Sequence, residues 1–97
     1  MGKIMRPKCV RLPDKLLQIR LSLNLSQNEM LRHLGLADKT FRSTISGYER
    51  GEREPPLPIL LQYAKAAGVC VDVLIDDELN LPFRLPGTPQ HKGFIST

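Results

Sequence analysis

The chain has 97 residues, 41% of them hydrophobic and 25% charged, which is one small domain of ordinary globular composition. A core of that size leaves a stability margin of only about 5–15 kcal/mol. The formal charge of +4 is uneven: residues 1–53 carry a net +6 and residues 54–97 a net −2. A basic first half suits a polyanionic partner, with the acidic half left in solvent, although +4 alone would also serve only to keep a small domain dispersed.

Cys9 and Cys70 are the only cysteines. They lie far apart, match no metal spacing and make no disulfide framework, so no metal or cofactor is expected. Cys70 is expected to pack as a small apolar residue and Cys9 to be a thiol in a flexible arm. No apolar run approaches the roughly 18–20 residues needed to span a membrane. The opening MGKIMRPKCVRLP lacks the apolar stretch of a secretory signal. The expected location is cytoplasmic, with no membrane partner.

Residues 1–12 contain Lys3, Arg6, Lys8 and Arg11 and no acid, and Pro7 and Pro13 discourage a helix. They read as a basic flexible arm able to add phosphate or minor-groove contacts. Pro13-Asp14 opens a first helix in the manner favoured at N-termini. Leu16, Leu17, Ile19, Leu21 and Leu23 are too many apolar residues for one narrow stripe, which predicts a largely buried helix running to about Asn24. Arg20 sits among them and should need a carboxylate.

Ser26-Gln27-Asn28-Glu29 fits a capping box, with Leu25 and Met30 placed as its hydrophobic staple. The second helix then offers Met30, Leu31 and Leu34 to the core and stops at Gly35. Phe41, Ile45 and Tyr48 fall at i, i+4 and i+7, the inward stripe of a third helix that ends at Gly51. Arg42, Ser43, Ser46 and Gly47 are expected to face outward. Glu52 to Pro56 can only be a loop. Pro58 begins a fourth helix with Ile59, Leu60, Tyr63, Ala64 and Ala67 inward and Gly68 as its stop. A short fifth helix runs from Val71 to about Asp77. Residues 79–97 read as a Pro-rich extended tail, with Leu81, Phe83 and Leu85 available to dock on the helices. The domain proper is therefore 13–78.

Three segments, LLQIRLSLNLSQNEMLRHLGL, STISGYERG and PPLPILLQYAKAAGVCVDVL, come in an order and spacing that resembles the Cro/phage-repressor (XRE) helix-turn-helix family over about Lys15 to Ile75. The resemblance implies an all-α, five-helix phage-repressor-like DNA-binding domain, with the helix-turn-helix at helices two and three. It implies that double-stranded DNA is the partner and that the protein is a homodimeric transcriptional regulator, most simply a repressor. Arg42, Ser43, Thr44, Ser46 and Gly47 would then lie at base-reading positions. Gln27, Lys39, Thr40, Arg50 and Arg53 would meet phosphates. Arg20 and Glu49 match the family's buried ion pair, and Tyr48 its core aromatic.

The connection after Gly35 is about four residues longer than the family's usual turn. Phe41 stands where a capping residue belongs, so the cap of helix three is expected to move back to Thr40 or Asp38, lengthening the helix by about one turn. Two other function classes compete with this one. An enzyme would have to use Asp72, Asp76, Asp77 and Glu78, but no nucleophile, base or phosphate loop accompanies them, and His33 and His91 read as surface residues. A protein-interaction module or an antitoxin, with a toxin gripping the tail, would keep the fold with weak or no DNA binding.

Overall fold

A computed structural model of the chain describes residues 9–82, 85 and 86. Among them are α1 (Leu12–Ser22), α2 (Gln27–His33), α3 (Arg42–Glu49), α4 (Leu57–Ala67) and α5 (Val71–Ile75), and no strand. Helix α3 packs against α1 and α2, while α4 and α5 close the other side of α1. Leu16, Ile19, Met30, Ile45, Tyr63 and Leu74 are fully enclosed where these helices meet.

Helix α1 starts with proline in its first turn and Asp14 beside it. It is narrower in burial than its composition predicts: Leu12, Leu16 and Ile19 are buried, but Leu17 is half-buried and Leu21 is 60% exposed. Apolar residues surround the helix, whereas the neighbouring helices cover only one stripe of it. The helix also stops two residues earlier than expected. Asn24 takes a left-handed φ of 63°, and the amides of Asn24 and Leu25 turn back to the carbonyls of Leu21 and Arg20.

The stripe holds one charge that periodicity did not place. Lys15 is buried, and its Nζ donates to the carbonyls of Val73 at 2.7 Å and Asp76 at 2.9 Å. It thereby satisfies backbone acceptors at the end of α5 that the helix itself cannot. Burial pushes the Lys15 ammonium pKa down, with Arg11 nearby acting in the same direction.

The approach to α1 is not a free arm throughout. The amides of Val10 and Arg11 donate to the Asp77 carboxylate at 2.9 and 3.0 Å, and the Arg11 guanidinium bonds the Asp77 carbonyl and Asn80. Arg11 is therefore held by the fold rather than left for phosphate, and these amide bonds hold the Asp77 carboxyl below the usual carboxylate range. Residues 1–8, with the expected arm cations Lys3, Arg6 and Lys8, lie outside the described residues.

Helix α2 has the capping box: the Glu29 amide donates to Ser26 Oγ at 3.1 Å, and the Ser26 amide donates to Glu29 Oε1 at 2.7 Å. At its other end Gly35 has φ of 77°, and Gly35 and Leu36 donate to the carbonyls of Arg32 and Leu31. This is the left-handed glycine termination that such a pattern favours.

Helix α4 begins at Leu57 with Pro58 in its first turn, buries Leu60, Tyr63, Ala64 and Ala67, and ends at Gly68. The two cysteines exchange their expected roles. Cys70 is exposed at the start of α5 and makes no capping bond. Cys9 is half-buried, its thiol donates to the Ile75 carbonyl at 3.4 Å, and burial pushes its pKa up. A cysteine is small enough to pack in either setting, so composition alone could not sort them. Helix α5 is two residues shorter than expected. Leu81 and Leu85 do dock on the core, while Phe83 and His91 lie outside the described residues.

Candidate nucleic-acid interface

Helix α3 is anchored at its C-terminal end. Arg20 Nε donates to Glu49 Oε2 at 2.7 Å, and its Nη2 to Glu49 Oε1 at 3.1 Å. The remaining Nη1 reaches the Leu25 carbonyl at 3.0 Å. Only 14% of the Arg20 side chain and 6% of the Glu49 side chain are exposed. The bonds to Glu49 raise the Arg20 pKa further above its ordinary value. Gln27 Nε2 adds a third donor to Glu49 Oε1 at 3.2 Å, so α1, α2 and α3 converge on one carboxylate. Ile45 and Tyr48 complete this inner face.

The N-terminal end of α3 differs from the sequence expectation. Phe41 itself is the N-cap, in extended conformation (φ −118°, ψ 163°), with no side-chain cap. The cap does not move back to Thr40 or Asp38, and α3 gains no extra turn. The lengthened connection instead folds into a turn of its own, closed by the amides of Lys39 and Thr40 on the Leu36 carbonyl. Thr40 and Thr44 then join hydroxyl to hydroxyl at 2.6 Å, tying that turn to α3. Phe41, expected inward, is 78% exposed. It precedes the first helical residue, so the helical period does not govern its direction.

Arg42 and Ser43 are exposed on the first turn, as is Lys39 just before it. Thr44 and Ser46 are half-buried, and the Thr44 hydroxyl is occupied by Thr40. Gly47 does not face outward: it is buried beneath the aliphatic stem of Arg53. Gln27 is half-buried and engaged with Glu49 rather than projecting freely. Arg50 is exposed and bridged to Glu52 at 2.9 Å, an exposed pair of the kind worth about 0–1 kcal/mol.

Between α2 and the start of α3 is a cleft of about 550 Å³, lined by Asn28, Leu31, Arg32, Thr40, Phe41 and Arg42 among others. Asn28 and Arg32 were not singled out from sequence. Their signal was their i, i+4 spacing on the side of α2 away from Met30, Leu31 and Leu34.

Two short helices packed together, the second showing Arg42 and Ser43 at its exposed start, have the form of a helix-turn-helix. A family model described as helix-turn-helix matches residues 16–74. The chain belongs to the Cro/phage-repressor (XRE) helix-turn-helix family, whose members are DNA-binding regulators. No curated protein matches it. No helix among the described residues is long and apolar enough to cross a membrane.

Proposed function

We propose that this protein is a cytoplasmic, homodimeric, sequence-specific repressor that reads the major groove with the first turn of α3. The observation that carries this is the exposed, side-chain-uncapped start of α3 bearing Arg42 and Ser43, on a helix whose other end is clamped through Glu49. Arg42 can pair with guanine O6 and N7 in the bidentate manner, worth about 1–3 kcal/mol of discrimination. Ser43 is beside it for a second base edge. Open amides at the start of α3 and the helix dipole favour an approaching phosphate. Lys39 flanks that end, and a phosphate can displace Glu52 from Arg50 because the bridge is weak and exposed.

The test is selection of duplexes from a random library, followed by fluorescence anisotropy at two salt concentrations. Tight, salt-sensitive binding to one pseudo-palindrome is expected. Arg42→Ala should flatten the base preference at one position of each half-site. Failure to bind any duplex at low salt would overturn the reading.

A protein partner is the second reading. A groove of about 570 Å³ between Cys9, Leu12, Pro55, Leu57 and Ile75, with Leu57 74% exposed, favours it. We assign this groove to the second copy of the chain. Light scattering showing a monomer at every concentration would shift the assignment toward a different protein, such as a toxin.

A further inference from the structure

We propose that Gly47 is the positioning residue for Arg53: by carrying no side chain, it lets a loop arginine lie along α3 and act as the recognition helix's outward cation toward a DNA phosphate. The inference deepens the DNA-binding reading of this face and rests on it.

Gly47 lies inside α3, where glycine is a poorer helix former than alanine. Its φ is outside the left-handed region, so the backbone does not require glycine there. The space above it is tight instead. A Cβ added at this position would stand 3.1 Å from Arg53 Cδ, 3.2 Å from Cγ and 3.4 Å from Nε. The arginine stem therefore occupies the path that a side chain at 47 would take, and this is why Gly47 is buried on a face the helical period turns outward.

The backbone delivers Arg53 to this place. Gly51 ends α3 with φ of 76°, and the amides of Glu52 and Arg53 both donate to the Gly47 carbonyl, at 2.9 and 3.2 Å. One residue thus accepts the returning loop at its carbonyl and the returning side chain over its Cα. Arg53 itself is exposed. Running back over α3, its guanidinium belongs to that helix's surface rather than to the loop beyond it. A side chain at 47 would press on the stem of Arg53, a methyl by a few tenths of an ångström and a longer chain by more, and glycine leaves the arginine this path.

A double-mutant cycle on the library-selected duplex tests this, with affinity measured across a salt series for the wild type, Arg53→Ala, Gly47→Leu and the double variant. Arg53→Ala should bind about tenfold more weakly, with the salt slope reduced by about one. Gly47→Leu should reproduce both changes, and the double variant should bind no more weakly than Arg53→Ala. The melting temperature of Gly47→Leu should equal or exceed that of the wild type, which separates eviction of Arg53 from unfolding. Should it melt lower, Gly47→Ala, which asks the stem to give by only a few tenths of an ångström, should weaken binding partway and again only when Arg53 is present. Wild-type affinity and slope in both Gly47 variants would overturn the proposal. So would an equal loss from Gly47→Leu in the Arg53→Ala background. If the wild-type protein itself bound no duplex, the DNA-binding reading would fall instead.

Discussion

Replacing Glu49 with alanine removes the carboxylate on which three helices meet. The guanidinium of Arg20, only 14% exposed, would keep just its bond to the Leu25 carbonyl, and Gln27 Nε2 would lose its acceptor. If the pair were an ordinary surface bridge, its loss would matter by no more than about 0–1 kcal/mol. It is not, because Glu49 is 6% exposed and neither partner can fall back on water without movement of α3. Breaking one side of a buried pair costs about 3–5 kcal/mol, since the desolvated charge stays behind. For a domain of this size, each kcal/mol lowers the melting temperature by about 4–8 °C, so Glu49→Ala should melt roughly 12–40 °C lower.

Circular dichroism melts at neutral pH, with urea titration as a second probe, give the measurement. The companion Arg20→Met/Glu49→Leu variant removes both charges and should lie near the wild type, because apolar pairs of similar volume commonly replace buried ion pairs without loss. A Glu49→Ala melt within about 4 °C of the wild type would fit the surface-bridge magnitude and refute the reasoning. A double variant as unstable as the single would show that the loss came from packing rather than from a stranded charge.

Other outcomes can be checked with the same instruments. The Tyr63 hydroxyl is buried with no hydrogen-bond partner among the described residues, so Tyr63→Phe should be neutral or stabilising by up to about 1 kcal/mol. A loss of more than that would reveal a hidden partner. Phe41→Ser puts an acceptor on an N-cap already in extended conformation and should raise stability by about 1 kcal/mol, read as a higher urea midpoint at unchanged slope. Acid should weaken the fold through two carboxylates whose folded pKa values lie below their ordinary ones. Glu29 is lowered by the Ser26 amide and hydroxyl, and Asp77 by the amides of Arg11 and Val10. For lowered carboxylates the stabilisation is complete above the unfolded pKa, near 4, and disappears as pH falls through the lower folded values. The melting temperature should therefore hold between about pH 7 and 5 and decline below about 4, and Glu29→Gln/Asp77→Asn should flatten that decline. A flat profile down to pH 2.5 in the wild type would contradict the assignment.

What the sequence made legible is what adjacent residues settle among themselves. Ser26 and Glu29 form their box within four positions, and Gly35 ends α2 within the same turn. Ile45 and Tyr48 share a face because the helical period places them there. The readings that failed depend on a segment arriving from elsewhere. Nothing near Lys15 in the sequence marks it as buried, because the carbonyls of Val73 and Asp76 that hold it come from about sixty residues away. Arg11 looked free for phosphate until Asp77 met it across a similar separation. Phe41 shows the complementary failure, since counting i, i+4, i+7 assumes a helix that had not yet begun.

Gly47 lies between these cases. A helical wheel turns it outward, and an outward glycine reads as a missing base contact. The loop returning only six positions later changes that picture, because the stem of Arg53 covers the position from outside the helix. The cations of this face therefore have two different origins. Arg42 belongs to α3 and moves with it, so its geometry depends on the Glu49 clamp. Arg53 belongs to a loop and needs both the Gly47 carbonyl that holds its amide and the empty space above it. A substitution that loosens α3 should disturb both arginines together, whereas one at position 47 should disturb Arg53 alone. For that reason the effects of Glu49 and Gly47 variants on base preference and on salt slope are expected to separate.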